Sequence, residues 1–223
     1  MVEVLFVVGV IVLALLWNDR DQRKKADKWR KILEEHPDLE SGLATPVEVD
    51  DFDMFDGFHR SSGRWLRRVG TEHLVFLMTV TQRDTVGNDD HTSAIYYGAL
   101  LRVPEPLPPI SIAPRRFSDR LRFGDNDIEI ESTVVRAEDF NETFRVTSEV
   151  NPSVVRSVFD DRVVAALLDA EAEFDKLHVD LRHEWILCAH RAGPLSLGDA
   201  EELVPYLNRI TTLVAAFATA RDS

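Results

Sequence analysis

The dominant pattern along the chain is a sixteen-residue apolar run at residues 2–17, VEVLFVVGVIVLALLW, where Glu3 is the one charge before Asp19. As a helix it spans about 24 Å, against a hydrocarbon core of about 30 Å. Met1 and Trp17 extend it toward the interface, where tryptophan is favoured. A cleaved leader needs a basic start and small residues at its cleavage site. This run starts Met1-Val2-Glu3 and ends Leu15-Leu16-Trp17. Apolar character on every face also suits a bilayer better than a globular core. The pattern predicts a retained transmembrane anchor over 1–17.

Residues 18–35 lack Gly and Pro and put Trp29, Ile32 and Leu33 on one side. They predict a helical stalk over 18–36 that stops before His36-Pro37, because the residue preceding proline avoids the α region. Residues 37–64 read as a linker whose charge changes sign. Seven acids and no base lie in 38–56, then four Arg and no acid in 57–70. These blocks can pair with each other, or the acidic one can reach the stalk.

A single domain is expected over 65–223. Residues 73–82, 93–103, 128–132 and 144–149 have strand patterns. Residues 104–114 hold five of the ten prolines, which fits an edge strand or an extended crossing. Gly124 to Asp127 read as a turn. Asn151-Pro152 opens a helix whose apolar stripe runs from Val154 to about 170. Residues 177–182 and 185–190 read as a hairpin joined tightly at Arg182-His183-Glu184. A last helix covers 197–221 and contains Pro205. The order is helix, about four strands, helix, hairpin, helix. It predicts an α+β fold: after the transmembrane helix and stalk, one mainly antiparallel sheet packed with two helices.

Charge adds a topology. Residues 18–31 hold seven bases (Arg20, Arg23, Lys24, Lys25, Lys28, Arg30, Lys31) and three acids, in a chain of net charge -13. Basic residues beside a span stay cytoplasmic. The expected location is therefore the cell membrane, single-pass, with the N-terminus outside and the globular domain cytoplasmic. Arg23, Lys24, Lys25, Lys28, Arg30 and Lys31 are candidate contacts for anionic lipid headgroups. An acidic body argues against nucleic acid as a partner.

Candidate chemistry is sparse. DDFDMFDG (50–57) has its acids and glycine out of register for a calcium loop, and Ser62 stands where the closing Glu belongs. His178 and Asp180 share a strand face near His183, but that face is expected to be solvated. Leu187 stands where a zincin helix needs its second His. The single Cys188 reads as a buried apolar residue and excludes a disulfide framework. No nucleophile-elbow, P-loop or dinucleotide-binding motif occurs. Arg115, Arg116, Arg120 and Arg122 form a possible anion patch. No cofactor, metal site or catalytic residue is expected from these motifs.

LRVPEPLPPISIAPR (101–115), DIEIESTVVRAEDFNETFRV (127–146), FDDRVVAALLDA (159–170) and HRAGPLS (190–196) together carry a resemblance. They resemble a domain-of-unknown-function family of bacterial, largely actinobacterial, membrane-anchored proteins. The resemblance implies fold and membrane attachment and brings no catalytic residues. The resulting expectation is a cytoplasmic-face interaction or scaffold module without catalytic activity. A lipid or small-ligand sensor is the alternative. An enzyme, using His73, His91 or His178 in an unrecognised pocket, comes third.

Overall fold

A computed structural model of the chain describes residues 24, 26–43, 52, 58–82, 92–115, 127–174, 176–191 and 200–219. The anchor at 1–17 lies outside these residues. Among the described residues no helix is long and apolar enough to cross a membrane.

The architecture is α+β around one six-stranded sheet, with every pairing antiparallel. Helix α1 covers 26–35 and ends before His36-Pro37, where the proline rule places its stop. Strands β1 (Leu39–Leu43) and β2 (Phe58–Arg68) follow, so the sheet begins inside the stretch that the sequence assigns to a linker. β3 (Leu74–Gln82) and β4 (Thr92–Pro114) complete the first part of the sheet. Then come α2 (Ala137–Thr143), β5 (Phe144–Thr147), α3 (Pro152–Arg156), α4 (Asp161–Phe174), β6 (His178–Arg191) and α5 (Ala200–Thr219).

β4 is 23 residues long and serves as the spine. Its first part pairs with β3 on one edge, and its last four residues pair with β5 on that same edge. β6 runs along the other edge from Tyr96 to Ile112. The ladder to β6 slips between Arg102 and Leu107 and again between Leu107 and Ile110. Pro104, Pro106, Pro108 and Pro109 occupy these slips. They have no N–H to donate, so they sit where β3 has ended, β5 has not begun and the β6 ladder is interrupted. The proline pattern points to an edge strand or a crossing rather than a central strand, yet the stretch lies inside β4, which has neighbours on both edges.

Pleating gives the sheet two faces. Leu66, Val75, Ala99 and Cys188 form a cross-strand row under the helices, all at 0% exposure. Tyr206, Leu207, Ile210, Leu213 and Phe217 of α5 and Val163, Val164 and Leu167 of α4 close over that face. The opposite row runs Trp65, Phe76, Gly98 and Ala189. Phe76 lies over Gly98, where an added Cβ would stand 2.2 Å from its ring. Phe52, from the acidic block, is 3% exposed and packs on this second face with Leu74, Leu100 and Leu187.

Several local expectations change. The stripe from Val154 onward is two helices, because Asn151 caps α3 through Ser153 N–H and Asp160 caps α4 through the N–H groups of Arg162 and Val163. Val158 and Phe159 stay buried across the break, which keeps the apolar pattern continuous. The expected hairpin of 177–182 and 185–190 is instead one strand, β6, over His178–Arg191. His183, at φ 53°, absorbs the irregularity there. Residues 128–131 alternate in burial as expected, but no strand forms. The Asn141 side chain bonds both the N–H and the C=O of Ile130 in place of a neighbouring strand. Gly124 to Asn126 of the expected turn lie outside the described residues.

Gly98→Ala should lower stability by about 1–3 kcal/mol, since the buried Phe76 ring must leave its rotamer to make room. The urea unfolding midpoint measures this.

Candidate functional site

The basic segment that follows the apolar run is not a free stalk. Trp29 and Ile32 of α1 are 7% and 5% exposed and belong to the main core. The Arg64 guanidinium of β2 stands 5.2 Å from the centre of the Trp29 ring. This seating turns the remaining side chains outward, and Lys24, Lys28, Arg30 and Lys31 are all exposed. Arg30 meets Asp27 at 2.6 Å and Glu34 at 3.9 Å, and Lys31 lies 3.6 Å from Glu35. Such exposed helix pairs are weak, roughly 0.3–0.5 kcal/mol, and leave the basic charge available to a stronger field. Arg23 and Lys25 lie outside the described residues.

Complementary charge also joins the two linker blocks. Glu40 accepts from Arg67 Nε at 2.5 Å and Asp38 from Arg68 at 2.6 Å across the β1–β2 ladder. Arg68 reaches Asn208 of α5 as well, at 2.7 Å.

The proposed arginine patch changes character. Arg115 is not a surface cation: its side chain is 9% exposed, its Nε donates to the Phe144 carbonyl at 2.9 Å, and Asp127 stands 3.5 Å away. Arg115 follows the last residue of β4, which turns it under the chain. Arg116, Arg120 and Arg122 lie outside the described residues. The Asp127 side chain is itself 8% exposed and also accepts from Arg145 Nε at 2.5 Å, the Arg145 side chain being 38% exposed. One buried carboxylate therefore serves two arginines.

Arg145 leads to a feature that no local motif announces. A cleft of about 470 Å³ opens on the sheet face away from the helices, lined by residues including Phe52, Ser111, Arg145, Thr147, Asp180 and Arg182. Asp180 is 8% exposed, so this side of β6 is not the solvated face expected from alternation. His178 is half-buried and His183 is exposed. Among the described residues no His, Cys, Asp and Glu side chains group to hold a metal ion.

The nucleophile and base candidates are scattered. Cys188 is fully buried under the helices, and burial pushes its thiol well above the ordinary range. Tyr206 is buried against Phe174, His190 and Tyr97, and burial raises its phenol. His73 accepts from the Arg102 N–H through Nδ1 at 3.1 Å. It sits beside Arg102, whose partner Trp185 is midway along the β6 ladder, whereas His178 lies beyond Val179 at the ladder's end. The structure does not bring these two together, and His91 lies outside the described residues.

Two predictions follow from these groups. Asp127→Ala should destabilise by about 3–5 kcal/mol by stranding Arg115, whereas Arg68→Ala on the exposed pair should cost less than about 1 kcal/mol; chemical denaturation of both variants separates them. Burial lowers the His73 pKa below 6.5, partly opposed by Glu72. The unfolded chain then binds the proton more readily, so stability holds above pH 6.5 and falls as pH drops through the folded value. His73→Asn keeps an acceptor near the Nδ1 position and should flatten that acid-side loss in a pH series of unfolding midpoints.

No protein-family model, no curated protein and no solved structure matches the chain.

Proposed function

We propose that this chain is a non-catalytic binding module held against the cytoplasmic face of a membrane. The observation that carries the reading is the seating of α1. Its apolar side is part of the core through Trp29 and Ile32, its outer side presents Lys28, Arg30 and Lys31, and Lys24 is exposed just before it. This helix comes directly after the apolar run at 2–17 and the bases that begin at Arg20. A body joined to a span by so short and so basic a segment rests near anionic headgroups, where each basic residue contributes about 1 kcal/mol. The resemblance to membrane-anchored bacterial proteins points the same way.

Burial of Cys188 and separation of the histidines favour binding over catalysis in this reading. The cleft on the second sheet face favours a small-ligand sensor as the alternative form of the same module.

Membranes bearing the full chain should retain it through alkaline carbonate extraction. Protease should remove the body from inverted vesicles and spare it in right-side-out ones. Release by carbonate would refute the anchor, and digestion in right-side-out vesicles would reverse the orientation.

A further inference from the structure

The cleft on the second sheet face is a groove that follows β4. Thr147 of β5, Ser111 of β4 and Asp180 of β6 are direct partners across three neighbouring strands, so they point to one side of the sheet. Ile112, Val146 and Val179 form the adjoining row on the core side, at 0–1% exposure. Short side chains at Pro109 and Ser111 leave the floor of the groove low. Arg145, Thr147 and Glu149 line it on the β5 side, and Asp180 and Arg182 on the β6 side. The strands that carry the two walls are separated by two sheet spacings, about 10 Å. The Ser148 hydroxyl donates to the Pro109 carbonyl at 2.5 Å, which ties the β5 wall to the floor. The volume of about 470 Å³ is that of a small-molecule site.

Charge in the groove is balanced. Each wall carries one base and one acid, Arg145 with Glu149 and Arg182 with Asp180. Asp127 and Arg115, behind the β5 wall, add one of each sign. A free anion or cation therefore gains no net attraction and meets a like charge on either wall. Hydrogen-bonding capacity is not used up. Arg145 spends Nε on Asp127, which leaves its terminal nitrogens to the half-exposed side of the groove. Asp180 and Arg182 are engaged within the chain. A carboxylate still has about four acceptor positions and a guanidinium about five N–H donors, so each keeps room for a further partner. The hydroxyls of Ser111 and Thr147 carry no hydrogen bond among the described residues. Such a lining suits a neutral group that donates and accepts at neighbouring atoms. Adjacent hydroxyls on a carbon ring do this, each donating to a carboxylate and accepting from a guanidinium or a protein hydroxyl. Phe52 also lines the groove and offers apolar surface to the C–H groups between such hydroxyls.

We infer that this groove binds a neutral saccharide of one or two rings. Its hydroxyls accept from Arg145 and Arg182, donate to Asp180 and Glu149, and meet Ser111 and Thr147 at the floor and wall. The inference deepens the small-ligand form of the module proposed above and rests on that form alone. It does not need the anchor, which carbonate extraction tests separately.

The test is calorimetric titration of the full chain, in a detergent whose headgroup is not a sugar, with neutral monosaccharides, their common disaccharides and inositol. The uronate and the amino sugar of the best-binding hexose serve as its charged counterparts. At least one neutral sugar should bind saturably and raise the melting temperature, and both counterparts should bind at least fivefold more weakly. Ser111→Ala should weaken binding at least fivefold. Glu149→Gln leaves the groove one base in excess, so it should weaken the neutral sugar and narrow its lead over the uronate at least threefold. Arg68→Ala should change neither. Glu149 is exposed, so its variant decides the matter if Ser111→Ala fails to fold. Folded protein that binds none of the neutral sugars overturns the inference. So does a uronate or amino sugar that binds as tightly as its neutral parent, or sugar binding that both groove variants leave at full strength.

Discussion

The middle of β4 must stay in a sheet although its prolines cannot donate hydrogen bonds to it. The fold meets this constraint by arranging the neighbouring strands around the gap. β3 stops pairing at Leu100, β5 starts at Ser111, and the β6 ladder slips twice between them. Core positions on β4 run Tyr97, Ala99, Leu101 and Val103, then Leu107, Ile110 and Ile112. The switch from odd to even falls at Pro108-Pro109. It lets one strand serve two differently built halves while keeping its apolar side under the helices throughout. The sheet face beyond Ile110 can then be polar without breaking the core.

Much of this was legible in sequence and some was not, for physical reasons. Elements with regular periodicity, such as β3, β5, α4 and α5, were visible because their pattern reflects one buried face. β2 was hidden because FHRSSGRWLRR is largely polar, with Arg64, Arg67 and Arg68 spent on Trp29, Glu40 and Asp38. The α3–α4 break was hidden because Val158 and Phe159 are as buried in a turn as they would be in a helix. Residues 128–131 alternate like a strand because Asn141 supplies the bonds that a strand would have supplied. The row of Thr147, Ser111 and Asp180 depends on ladder register, which alternation cannot specify across three distant segments.

The basic residues of α1 and the arginines near 115 looked alike in sequence, both being short cationic clusters. Context separates them. On α1 the bases sit opposite the apolar contact made by Trp29 and Ile32, so they face outward. Arg115 follows the end of a central strand, lies beside Asp127 and is drawn under the chain. A cation count alone reports neither outcome, because burial follows the apolar neighbours and the nearest carboxylate.

The single cysteine gives the molecule an internal clock. Cys188 lies at 0% exposure in the row that α4 and α5 cover, and burial holds its thiol in the unreactive protonated form. A thiol reagent reaches it only when those helices lift from the sheet. The rate of modification under native conditions therefore reads the opening of that one layer. A cysteine introduced on the surface would react first, so a spectroscopic label placed there stays at a single position while Cys188 keeps time for the interior.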